Sequence, residues 1–298
     1  MTTIDVRADR FGGQQATHPD PRLLRLHRPV VRDVPYVPTD PAVVAAMLRF
    51  AAVTPNDVLY DLGCGDGRIV IAAAKHYGAR AVGIDIDPLR IAESRENAAK
   101  ARVTDRVQFL CRSFFDVDLR DATVVTLYLL PAINRQLRPK LVSDLRPGAR
   151  IVANYFDMGD WYPDMQAHAH HRVLHQWIVP AWVAGEWACV VNAPPPDAPH
   201  RRRHRMTLHL RRRYQAVTGT ARLAGRDLPI INGRLFGDHL TFKLIDPRRP
   251  SPTTRFACTV EGNCLRGTCQ LNGLEGPESP TIAWAGFWRS PAATPHKP

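Results

Sequence analysis

One stretch restricts this chain more than any other: Val58-Leu59-Tyr60-Asp61-Leu62-Gly63-Cys64-Gly65-Asp66-Gly67-Arg68. It reads as a buried strand that runs into a glycine-rich turn and opens a helix. Gly63 and Gly65 remove side chains where backbone must approach a ligand, and the helix N-terminus offers unpaired N–H groups. The next apolar run, 81–85, ends in Asp85, a carboxylate able to accept both hydroxyl protons of a ribose. A β-α-β unit holding a nucleoside-type ligand is predicted.

Two ligands compete for such a site. A nicotinamide dinucleotide wants G-x-G-x-x-G, and the third glycine would stand where this chain has Arg68. S-adenosylmethionine wants an acidic residue followed by x-G-x-G, which Asp61, Gly63 and Gly65 supply. Charge separates the two: Asp61 and Asp66 would repel a pyrophosphate but attract an α-ammonium and a sulfonium. The methyl donor is the expected cofactor.

Around this motif, apolar runs at 58–62, 81–85, 107–111, 123–128 and 151–156 alternate with helical stretches at 68–77, 88–101 and 132–145. Thr39 or Asp40 can cap an earlier helix that begins at Pro41. This order predicts a doubly wound, Rossmann-like α/β sheet of parallel strands. Residues 1–33 show no periodicity and read as a flexible tail. From His170 to Asn192 an antiparallel hairpin is expected to finish the sheet, with Val173, His175, Trp177 and Val179 alternating and 188–191 forming its second run. The methyl-donor domain is thus placed at 34–192, a Pro/Arg-rich linker at 193–205, and a small antiparallel all-β domain, barrel or sandwich, at 206–298. That last domain rests on seven short strand candidates separated by Gly, Asp, Asn and Pro.

With these residues in view, the chain resembles the class I S-adenosylmethionine-dependent methyltransferases over roughly residues 34–165. Within that class it looks most like the group containing the protein-lysine N-methyltransferases of ATP synthase subunit c and the adenine nucleotide translocase. Val34-Pro35-Tyr36-Val37-Pro38-Thr39, the run from Asp61 through Arg68-Ile69-Val70, and Arg146-Pro147-Gly148-Ala149-Arg150-Ile151-Val152 carry the likeness. The resemblance implies that Asp61, Gly63, Gly65 and Gly67 line the methionine end of the cofactor, beside the cofactor-binding Asp66 that the charge argument adds, and that Asp85 holds the ribose. Tyr36 would close over the site. Where relatives place an acidic residue near the adenine, this chain has Ser113-Phe114, so the contact to the adenine amino group would be uncharged.

The acceptor belongs at the C-terminal ends of the fourth and fifth strands, where such sheets bind ligands. Those ends carry Tyr128 and the run Phe156-Asp157-Met158-Gly159-Asp160-Trp161. Trp161 or Tyr128 could hold a cation while Asp157 or Asp160 orients it; equally, the two aspartates could cap a turn and Trp161 could be core. Tyr128, Asp157 and Trp161 are the acceptor-side candidates. A protein lysine is the acceptor the resemblance implies. The alternatives are a small-molecule acceptor, or a non-catalytic cofactor-binding adaptor whose β domain binds RNA, an acidic protein or a membrane surface.

Charge bears on that last alternative. The net charge of +12 is uneven, with 22 Lys/Arg against 20 Asp/Glu up to residue 165 and 18 against 8 beyond it. The Arg201–Arg205 and Arg211–Arg213 runs read as a solvated strand edge guarded by charge. His168, His170, His171 and His175 lack the spacing of a metal set on a strand, and read as exposed strand histidines. No metal is expected. The six cysteines form no C-x-x-C pair and read as reduced thiols of a cytoplasmic protein. Charged residues near the start leave no room for a signal peptide core, and Pro131 breaks the longest apolar stretch, so neither secretion nor a spanning helix is expected.

Overall fold

The computed structural model describes residues 36–193, 202–246, 253–271 and 281–290. The tail expected at 1–33 and the proline run at 194–199 lie outside the described residues. The first helix, α1 (Pro41–Phe50), starts where its cap chemistry dictates: the Asp40 carboxylate accepts the Ala42 N–H at 2.7 Å, and Pro41 fills a position that needs no donor. Asp87 caps α3 (Pro88–Ala101) in the same way through the Leu89 N–H at 3.0 Å.

Five parallel strands form the sheet in the order β3-β2-β1-β4-β5. They are β1 (Val58–Leu62), β2 (Arg80–Asp85), β3 (Val107–Cys111), β4 (Val124–Leu127) and β5 (Arg150–Asn154). All four residues of β4 are buried, because both faces of the sheet are covered. On one face α1, α2 (Arg68–Tyr77) and α3 pack on Leu59, Val124 and Val152. On the other, Ile133, Leu137 and Leu141 of α4 (Pro131–Asp144) pack on Leu62, Val125, Leu127 and Ile151.

An antiparallel hairpin does finish the sheet, but with other strands than expected. Its members are β6 (Met165–Ala169) and β7 (Arg172–Ile178), with β7 paired to β5. They are joined at His170 and His171, whose φ values of 47° and 64° give the two-residue left-handed turn that matches strand twist. The run at 188–191 belongs instead to β8 (Gly185–Ala193), which leaves this sheet altogether. His175 is also corrected: it is buried, with its ring nitrogens 3.0 Å from Gln166 Nε2 and 3.2 Å from the Tyr155 carbonyl oxygen. Among the described residues no group of His, Cys, Asp and Glu could hold a metal ion.

β8 opens a closed antiparallel barrel that runs β8-β9-β10-β11-β12-β13-β14-β15 and back to β8. The other staves are β9 (Arg202–Arg213), β10 (Ala216–Leu223), β11 (Arg226–Phe236), β12 (His239–Ile245), β13 (Thr253–Glu261), β14 (Cys264–Leu271) and β15 (Thr281–Ser290). Period-two alternation sends Leu208, Leu240, Phe242, Phe256 and Trp284 inward, where Phe242 and Phe256 stack at 4.8 Å. Closure leaves no open sheet edge, which an isolated sandwich would have had to guard with charge. Arg202 to Arg205, read as linker, are thus the start of a stave. Gly233 sits at an irregularity in β11, where a Cβ would collide with the Val217 carbonyl oxygen. No helix among the described residues is long and apolar enough to cross a membrane.

Sheet and barrel meet through the 155–164 loop that follows β5. Trp161 stacks on Tyr214 with ring centroids 5.2 Å apart, and Asp160 is held by both Arg138 and Arg213. The Asp164 carboxylate accepts Gln215 Nε2 at 2.8 Å, Arg234 at 3.0 Å and the Ile178 N–H at 2.9 Å.

Candidate functional site

The glycine turn connects β1 to α2 at the C-terminal edge of the sheet. Gly63, Gly65 and Gly67 all take left-handed φ values of 84°, 52° and 80°. Gly65 needs glycine twice over, since a Cβ there would also overlap the Tyr36 ring. Asp85 holds the turn from below: one carboxylate oxygen accepts the Gly65 N–H at 2.9 Å and the other the Asp87 N–H at 2.9 Å. Asn97 Nδ2 donates to the Asp66 carbonyl at 3.0 Å from α3. The turn is therefore braced by the chain's own hydrogen bonds.

Three carboxylates crowd this turn. Asp61 is 3% exposed and accepts a 2.7 Å hydrogen bond from the Thr126 hydroxyl of β4. Burial, with the nearby Asp85 and Asp66 charges adding to it, lifts its carboxyl from an ordinary 3.8 to about 7. Asp66 is different, since Arg68 grips it at 2.5 Å and the Tyr36 hydroxyl bonds it, holding its carboxyl below the usual range despite partial burial. The Asp66 charge is thereby matched by Arg68, whereas among the described residues Asp61 and Asp85 accept hydrogen bonds but have no ion-pair partner. Carboxylates arranged in this way suit a ligand that brings positive charge, as the ammonium and sulfonium of S-adenosylmethionine would.

Tyr36 lies over the turn, with the Arg90 guanidinium 4.6 Å from its ring centroid. Ser113 follows β3, next in the sheet to β2, and opens a short 3-10 turn (Phe114–Asp116) by accepting the Phe115 N–H at 3.3 Å. Phe114 is buried beneath it. Every position assigned to the cofactor thus lies at the C-terminal ends of β1 and β2 or on the loops that follow β1 and β3, except Tyr36, which precedes α1.

On the acceptor side the candidates separate. Tyr128 follows β4 and is half-buried, with its ring stacked on Phe156 at 6.2 Å. The neighbouring Leu129 side chain comes within 3.0 Å of where a Cβ on Gly63 would stand, so this segment abuts the cofactor turn. Asp157 is exposed and accepts the Gly159 N–H at 2.9 Å. Trp161 is corrected: it is fully buried between Trp177 and Tyr214, so its faces are unavailable to a substrate. Asp160, committed to two arginines, is likewise not free to orient an amine.

Residues that pattern alone missed complete the rim. Tyr155 carries a φ of 71° and is spanned by a Phe156 N–H to Asn154 carbonyl bond of 2.9 Å, the strained geometry of a γ-turn. It is 48% exposed and meets Phe156 edge to face at 4.9 Å. Thr126, a polar residue inside an apolar strand, was the one legible sign that Asp61 had a partner.

A doubly wound sheet with an acidic, glycine-rich turn after its first strand and a carboxylate at the tip of its second defines a class I S-adenosylmethionine-dependent methyltransferase. Residues 61–165 match the model of the ANTKMT methyltransferase domain. A protein-lysine N-methyltransferase of Saccharolobus islandicus (strain REY15A) is 48% identical over 45% of this chain and 83% of its own length. The adenine nucleotide translocase lysine N-methyltransferase of Mus musculus is 33% identical over 45% of this chain, which spans 58% of that relative. Among solved structures, an RNA methyltransferase from Salinibacter ruber in complex with S-adenosyl-L-homocysteine is 49% identical over 49% of this chain and 96% of its own, with a TM-score of 0.49. The chain belongs to the family of S-adenosylmethionine-dependent methyltransferases that carry this domain. The family match ends at residue 165, before the barrel begins.

Proposed function

We propose that this enzyme methylates the side-chain amine of a protein lysine. The carrying observation is the aromatic rim of exposed Tyr155 with half-buried Tyr128 and Phe156, beside a cofactor turn whose Asp61 and Asp85 carboxylates have no ion-pair partner among the described residues. The names of the archaeal and mouse relatives support the same acceptor. S-adenosylmethionine, when bound, supplies a methyl group that an amine lone pair takes up as the S–CH3 bond breaks and its electron pair stays on sulfur.

The chain's own residues align and shield. Asp61 faces the cationic end of the cofactor, Asp85 the ribose, Ser113 and Phe114 the adenine, and Gly63, Gly65 and Gly67 let the backbone approach. Tyr36 covers the turn and excludes water. Tyr128 steers the acceptor nitrogen, which enters as an ammonium and gives its proton to solvent before transfer, so alignment within roughly 3 to 3.5 Å of the methyl carbon is the main requirement. Asp157, beside them, offers a carboxylate at the mouth. The functional division of the chain falls between β7 and β8, with the barrel as an accessory unit.

Labelled methyl transfer tests this directly. With poly-L-lysine as acceptor, label is expected on lysine Nζ, and Asp85→Ala abolishes both cofactor binding and transfer. Label that enters RNA and not polylysine overturns the assignment.

A further inference from the structure

Arg172 stands at the start of β7, next to the strand whose end carries Tyr155. Its guanidinium lies 5.2 Å from the Tyr155 ring centroid and 5.8 Å from that of Tyr128. Among the described residues the guanidinium makes no ion pair and no hydrogen bond. An arginine without a carboxylate, held against two aromatic faces, is bound by the ring quadrupoles. Phe156 contacts both rings, edge to face with Tyr155 and stacked on Tyr128.

The backbone is built to hold this arrangement. Tyr155 keeps its unfavourable φ because three groups fix it: its N–H donates to the Val173 carbonyl at 2.8 Å, its carbonyl faces His175 Nε2, and Asn134 Nδ2 donates to the Phe156 and Asp157 carbonyls at 3.2 Å. Strain retained against such a cost marks a position where the side chain's direction matters. Here the direction is toward a cation.

We propose that Tyr128, Tyr155 and Phe156 form an alkylammonium-binding site at the acceptor mouth, and that Arg172 is its resident cation, displaced when an acceptor ammonium enters. The assignment deepens the lysine reading and rests on it for the identity of the acceptor. Arg172 is then a specificity residue: neutral or anionic groups cannot replace the charge they would expel, whereas a lysine ammonium, or its methylated and less hydrated forms, can.

The test uses the full chain saturated with S-adenosyl-L-homocysteine and the probe butyltrimethylammonium, titrated by ligand-observed NMR. Arg172→Met keeps the alkyl stem and removes the competing charge, and should bind the probe about two- to fivefold more tightly than wild type. Adding Tyr155→Leu should return affinity to the wild-type level or below. Retained S-adenosylhomocysteine binding certifies that each variant is folded. A probe that binds Arg172→Met no better than wild type, or that ignores Tyr155→Leu, overturns the site.

Polylysine methylation is measured in parallel, where Arg172→Met should lower KM while sparing kcat. If the probe behaves as stated and polylysine accepts no methyl, the cation site stands and the lysine reading falls. If polylysine is methylated with unchanged KM and the probe gains nothing, the lysine reading stands and the cation site falls.

Discussion

Asp61→Asn separates the cost of a buried charge from its use. The Asp61 carboxyl rises from 3.8 to about 7 in the folded, cofactor-free protein, chiefly because it is buried. A folded-state value above the unfolded one means that the native state prefers the protonated form. The penalty for ionising is therefore absent in acid, grows between about pH 4 and 7, and is complete above that. At about 1.4 kcal/mol per pH unit the full penalty is about 4 kcal/mol. Asn keeps an oxygen for the Thr126 hydroxyl and carries no charge. Urea unfolding of both cofactor-free proteins should show the variant gaining on wild type by about 3 kcal/mol between pH 5 and pH 8, other titrations cancelling in the difference. The same substitution should weaken S-adenosylmethionine binding by at least about tenfold at pH 8. A stability difference that does not change with pH would refute the burial account of Asp61.

Wild-type affinity for S-adenosylmethionine should fall by up to about tenfold for each pH unit below 7, since the Asp61 carboxyl must then lose its proton as the cation binds; calorimetry at pH 6 and 8 reads this. Gly65→Ala should abolish cofactor binding and lower stability by about 1–2 kcal/mol from the left-handed backbone alone, as thermal unfolding would report. Ser113→Asp should tighten cofactor binding several-fold by placing a charged acceptor near the adenine amino group. Trp161→Ala should cost about 3–5 kcal/mol of stability, because it empties the space between Trp177 and Tyr214; a variant as stable as wild type would return Trp161 to the acceptor site.

The parallel sheet was legible because short, mostly apolar runs alternate with helical stretches, and α1 and α3 carry their caps in sequence as Asp40-Pro41 and Asp87-Pro88. The staves from β9 to β15 were legible as short apolar runs separated by Gly, Asp, Asn and Pro. What escaped was pairing. The apolar run at 188–191 suits a sheet edge as well as a barrel stave, and only the partner, β15 more than ninety residues away, decides between them. Trp161 escaped for a related reason: its neighbours in sequence are polar and turn-forming, while the surface that buries it includes Tyr214 from the barrel. The cation on Tyr128 and Tyr155 escaped because Arg172 reaches them across a strand pairing rather than along the chain.

Closure of the barrel through β8 and β15 also sets an order of events during synthesis. β8 emerges directly after the last sheet strand, but its second partner spans Thr281–Ser290, at the far end of the chain. The methyltransferase sheet can assemble on the ribosome while β8 still presents an unpaired edge, and only the arrival of the final stave seals it. A chain stalled or clipped before residue 281 would therefore be a folded cofactor binder carrying an adhesive strand, prone to pair with another copy of itself.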